Sequence, residues 1–89
     1  MKLPILNLDN VTLEEQTNKV SEEYQEFIGA KTKEERILEG LDLMQTIMGA
    51  ILKEVDIDGL EVFADAHYGK LIRRCWDFDG EVNLEFSFK

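Results

Sequence analysis

Two pairs of acidic residues recur at one spacing in this chain: Glu23 and Glu26, then Glu39 and Asp42. Side chains three apart neighbour each other on one face of a helix. Each pair therefore presents two carboxylates together if its segment is helical. A tight turn near Gly29–Lys31 would make the two segments antiparallel neighbours. Glu23 stands about six residues before that turn and Glu39 about seven after it, so at about 1.5 Å rise per residue they fall at nearly one height. Four carboxylates would then converge. Two unit charges about 5 Å apart repel by about 3 kcal/mol at an effective dielectric of about 20. A bound divalent cation reverses the sign of that term, and an all-oxygen ligand set suits Mg²⁺ or Mn²⁺. Against this stands the plainer view that an acidic chain scatters glutamates, which are good helix formers, over solvated faces.

The elements that must position these acids are legible in the chain. Residues 1–11 read as extended, because Pro4 disfavours helix and Asn7, Asp9 and Asn10 form turns. Thr12 with Glu15, and Thr32 with Glu35, have capping-box spacing and open two helices. Leu13, Val20, Tyr24 and Phe27 give the first helix its apolar spacing, and Gly29 its stop. Ile37, Leu41, Met44, Met48 and Ile51 form a stripe on the second, which Leu38 and Leu52 widen enough to be covered on more than one side. Gly40 and Gly49 interrupt it, each at about 1 kcal/mol relative to Ala, which close packing would explain. Asp58 with Glu61 opens a third helix whose inner face is Leu60, Phe63, Ala64, His67 and Leu71, fading near Cys75. Val82, Leu84, Phe86 and Phe88 alternate with Asn83, Glu85 and Ser87, which predicts a strand. Its partner would be the N-terminal segment or a second subunit. The expected fold is all-α: one domain over 1–89, three helices within about 12–76, a short β-strand at about 82–88, and a helical bundle completed by homodimerisation.

Composition narrows the function. The chain has 89 residues, enough for one core with little margin. With 19 acidic and 10 basic residues the net charge is −9, which repels nucleic acid backbones and anionic membranes. Cys75 is the single cysteine and His67 the single histidine, so neither a disulfide framework nor a Cys/His zinc site is expected. No apolar run approaches the roughly 20 residues that span a bilayer, and the N-terminus does not read as a signal peptide, so a cytoplasmic protein is expected.

The order Glu22-Glu23-x-x-Glu26, twelve residues, then Glu39-x-x-Asp42 resembles the signature of MazG-like, all-α nucleoside triphosphate pyrophosphohydrolases. The segment His67-Tyr68-Gly69-Lys70-Leu71-Ile72-Arg73-Arg74-Cys75-Trp76 is similar to the His-Asn-x-Lys-Leu-x-x-Arg-Gly-Trp segment of short members. Tyr68 stands where many relatives have Asn, and Cys75 where they have Gly. The resemblance implies helical bundles built from dimers or dimers of dimers. It also implies hydrolysis of (d)NTP at the α-phosphorus, giving the monophosphate and pyrophosphate. Glu23, Glu26, Glu39 and Asp42 would hold Mg²⁺, with Mn²⁺ an alternative, and Glu22 and Glu23 would serve the chemistry. Lys70 and Arg74, with Tyr68 beside them, would meet the substrate; Arg73 is offset. Lys70, Arg73 and Arg74 would equally cap a helix C-terminus against its dipole. Two other classes stay open: a non-enzymatic acidic interaction module, and a degenerate member that binds nucleotide without turnover.

Overall fold

The computed structural model describes residues 1–88. Three helices follow one another: α1 (Leu13–Gly29), α2 (Lys33–Glu54) and α3 (Ile57–Arg73). Among the described residues there is no β-strand. The chain divides into two compact units, Met1–Glu54 and Val55–Lys89.

In the first unit, α1 and α2 pack as a hairpin. The Thr12 hydroxyl accepts from the Glu15 amide at 3.0 Å, and the Glu15 carboxylate accepts from the Thr12 amide at 3.1 Å, so α1 opens on a complete capping box. At α2 the box is shifted by one residue. The Thr32 hydroxyl accepts from the Glu35 amide, but the Glu35 carboxylate takes the Lys31 amide instead. Each such cap stabilises by about 1 kcal/mol. Gln16 on α1 donates to the Thr46 carbonyl on α2 at 3.0 Å, and the Phe27 ring lies against Gly40. These two contacts fix an antiparallel pairing.

The N-terminal segment has no strand character. It lies along α2, where Gln45 donates to the Pro4 carbonyl and Lys53 to the Leu8 carbonyl at 2.6 Å. This explains Gly49: a Cβ there would stand 2.8 Å from Leu8 and 2.9 Å from Gln16. The expected close packing at Gly40 and Gly49 is what the hairpin uses them for.

The interior of the hairpin is polar. Among the described residues no hydrophobic side chain is fully buried; the buried ones are Gln16, Glu23 and Thr46. The apolar stripe of α2 is only partly covered: Ile37, Leu38 and Met44 are 55%, 62% and 46% exposed, while Leu41, Met48 and Leu52 are half-buried.

The second unit corrects three expectations. Helix α3 opens at Asp56, whose carboxylate accepts from the Gly59 amide at 2.8 Å, and not at Asp58. An acid two residues earlier can reach the third amide of the helix, and Asp58 sits inside the first turn. Of the expected inner face, Leu60 and Leu71 are half-buried while Phe63, Ala64 and His67 are exposed. Residues 82–88 form no strand, and Val82, Leu84 and Phe88 are exposed. Alternation alone does not make a strand without a ladder partner, and the N-terminal segment is committed to α2.

The end of α3 is well defined. The Cys75 amide donates to the Ile72 carbonyl at 3.0 Å and the Trp76 amide to the Leu71 carbonyl at 3.2 Å. Cys75 has φ 62°, the left-handed conformation that usually calls for glycine. Cysteine therefore adopts the exit geometry expected of Gly, at a steric cost of about 1 kcal/mol.

Candidate metal centre

Helix α1 carries Glu22, Glu23 and Glu26, and α2 carries Glu39 and Asp42. The short link at residues 30–32 and the antiparallel pairing bring three of these acids together. Glu23, Glu26 and Glu39 each offer a carboxylate oxygen within 4.8 Å of the others. Glu23 is 7% exposed, Glu39 is half-buried and Glu26 faces solvent. The site thus has a floor, a wall and an open side.

The oxygens are poorly satisfied. Oε2 of Glu23 and Oε2 of Glu39 are buried and accept no hydrogen bond from any donor among the described residues. A buried carboxylate oxygen left without a partner costs free energy, because its lost hydration is not repaid. The strain reaches Glu26, whose carboxyl is pushed above the usual range. The first cause is a hydrogen bond that only its protonated form gives to Glu23; the negative charges of Glu23 and Glu39 add to it. A cation held among the three carboxylates would relieve the same repulsion. Its donors are all oxygen, as Mg²⁺ and Mn²⁺ prefer.

One cation of the chain already reaches it. Lys19 Nζ lies 3.2 Å from Glu23 Oε1 and 3.3 Å from Glu22 Oε2. The two glutamates raise the Lys19 ammonium above its ordinary pKa, Glu23 the more strongly. Sequence reasoning passed over Lys19, although its spacing of three and four residues to Glu22 and Glu23 was the signal. Glu22 is turned toward Lys19, with its side chain 65% exposed, and stands outside the close group. Asp42 also stands outside that group. It is exposed, and its backbone carbonyl accepts the Thr46 hydroxyl.

The chain matches no family model, no curated protein and no solved structure.

The hairpin also carries an open groove of about 580 Å³, whose lining includes Phe27, Ile37, Leu41 and Met44 and the cations Lys33 and Arg36. Phe27 follows Glu26 and Gly40 follows Glu39 in sequence, but none of the three clustered acids lines the groove. Lys33 and Arg36 were not singled out from the sequence either; among ten scattered cations nothing but their place at the start of α2 marks them.

The motif residues of α3 belong to the second unit. Lys70 and Arg73 lie in its last turn and Arg74 caps it, with its amide bonded to the Lys70 carbonyl. Tyr68 is engaged locally. Its hydroxyl donates to Glu81 at 2.7 Å, and its ring meets Phe78 edge to face at 5.1 Å. The Glu81 charge holds the phenol above its usual pKa, first through that bond. Here Tyr68 ties the tail back onto α3.

Proposed function

We propose that this chain is a MazG-like, Mg²⁺-dependent nucleoside triphosphate pyrophosphohydrolase whose metal site is built by the α1–α2 hairpin. The observation that carries the reading is the close group Glu23, Glu26 and Glu39 with two buried, unpartnered oxygens. Repulsion of this kind is kept in a small domain where a cation is meant to relieve it. Glu23 and Glu39 would hold Mg²⁺ from the buried side and Glu26 from the solvent side, with Asp42 and Glu22 flanking. Bound Mg²⁺ supplies charge neutralisation at phosphate oxygens and makes water a better nucleophile at neutral pH. The groove at Phe27, Ile37, Leu41 and Met44 offers an apolar bed for a base. Lys33 and Arg36 at its rim would supply cations for phosphate oxygens, a part that the sequence resemblance gives to Lys70 and Arg74.

The protein would work as a homodimer or a dimer of dimers in the cytoplasm. Its accessible surface is 7652 Å². Two separate globules sharing its mass would expose only about 6,400 Å². The excess exceeds the roughly 800 Å² that each partner buries in a standard interface. The exposed stripe of α2 is its natural location. No helix among the described residues is long and apolar enough to cross a membrane, and the net charge of −9 disfavours nucleic acid.

Binding without turnover is the second reading, favoured by one observation: Asp42 stands outside the close group. Incubation with a panel of NTPs and dNTPs plus Mg²⁺ separates the two. The proposal expects monophosphate and pyrophosphate, lost in EDTA and at least partly kept with Mn²⁺. Orthophosphate as the first product would overturn attack at the α-phosphorus. Nucleotide-dependent stabilisation without any product would favour binding alone.

A further inference from the structure

We propose that Lys19 is the resident counter-ion of the carboxylate centre: it holds the metal-free site together and competes with the incoming divalent cation for Glu23. The inference rests on the metal reading of that site. Lys19 makes the only ion pairs among the described residues, one to Glu23 of this centre and one to Glu22 just outside it. Its partner Glu23 is no ordinary surface acid. It is more than nine-tenths buried, Oε1 is taken by Lys19, and Oε2 is buried without a hydrogen-bond partner. The lysine side chain is about half exposed, so it can leave without disturbing the hairpin. Its second anchor, Glu22, lies on the solvent side and gives the ammonium a place to go.

Two consequences of opposite sign follow from one charge. Without metal, the ammonium offsets the repulsion among Glu23, Glu26 and Glu39, so its removal destabilises the folded chain. With metal, the same ammonium repels the bound cation and withholds an oxygen of Glu23, so its removal tightens binding. A solvated lysine that merely pairs along a helix would do neither to a measurable degree.

The test compares the full chain with Lys19→Met, which keeps the apolar stem, and Lys19→Arg, which keeps the charge. Thermal melts are recorded in EDTA and along a Mn²⁺ titration. The expected result is a lower melting temperature for Lys19→Met in EDTA, together with about tenfold tighter Mn²⁺ binding. Lys19→Arg should match the parent in EDTA and bind Mn²⁺ no more tightly. If Lys19→Met is unfolded in EDTA, the Mn²⁺ concentration that refolds it supplies the affinity for the same comparison. Equal Mn²⁺ affinity in parent and Lys19→Met overturns the counter-ion proposal and leaves the metal reading standing. No Mn²⁺ effect on the parent at millimolar concentration overturns the metal reading, and this proposal with it.

Discussion

The α1–α2 hairpin and the α3 unit carry the two halves of one sequence resemblance, yet they are built differently. In the hairpin, residues about 30 apart in sequence meet: Gln16 bonds Thr46, and Leu8 and Gln16 close over Gly49. Its buried side chains are polar, and three acids converge where Oε2 of Glu23 and Oε2 of Glu39 are buried without a hydrogen-bond partner. In the α3 unit the side-chain bonds are local, such as Asp56 to Gly59 and Tyr68 to Glu81, and no residue of the helix is fully buried. The hairpin invests its interior in electrostatic strain. The α3 unit uses its motif residues to end a helix and hold a tail. A shared motif spacing therefore does not imply a shared role. The carboxylates suited to a cation lie where polar oxygens are buried without partners.

The largest effects should come from the hairpin. Glu23→Gln should lower kcat/KM for nucleoside triphosphate hydrolysis by about a hundredfold or more, since it removes the buried metal ligand. Lys70→Ala and Arg74→Ala, each deleting one charge-assisted contact, should cost only about tenfold. Steady-state kinetics on the three variants checks the ranking. Equal losses would erase the contrast between the units.

A pH series sharpens the picture of the centre itself. The Glu26 carboxyl is raised above its ordinary 4.5 in the folded chain. Between that value and the raised one, the folded chain holds more protons than the unfolded chain, so metal-free stability falls as pH rises through the window. Mg²⁺ competes with that proton, so its affinity should climb over the same window. Melts in EDTA and Mg²⁺ titrations of parent and Glu26→Gln check this. Both pH dependences should shrink in the variant.

The smallest expected effect lies in the α3 unit. Cys75→Gly should stabilise the chain by about 0.5–1 kcal/mol, because glycine adopts φ 62° without a steric cost but loses more entropy on folding. Urea melts measure it, and Mg²⁺ affinity should stay unchanged.

Much of the hairpin was legible in the sequence. Thr12-x-x-Glu15 wrote its own cap, and spacing about a short turn placed Glu23 and Glu39 at nearly one height, with Glu26 beside Glu23 on the same face. Local rules sufficed there, because helical geometry converts spacing directly into position. Asp42 did not follow, since a matched spacing fixes a face but not the last few ångströms. Lys19 was equally readable but was hidden among ordinary helix pairs. What stayed illegible depended on non-local partners: the alternating tail had no ladder to join, and the inner face of α3 could not be told from its outer one. Asp56 and Asp58 were both fit to cap, and only the formed helix distinguishes them.

The most direct test of the metal centre is a thermal melt of the parent and Glu39→Gln, each in EDTA and in several millimolar Mg²⁺. A cation that binds only the folded chain raises the melting temperature with the logarithm of its saturation. The parent should show that rise. Glu39→Gln removes one repelling charge at nearly constant shape, so it should melt as high as the parent or higher in EDTA, and show a smaller rise with Mg²⁺. If the parent shows no rise with Mg²⁺ and Glu39→Gln melts lower in EDTA, the three acids are part of a structural network and the metal assignment is wrong.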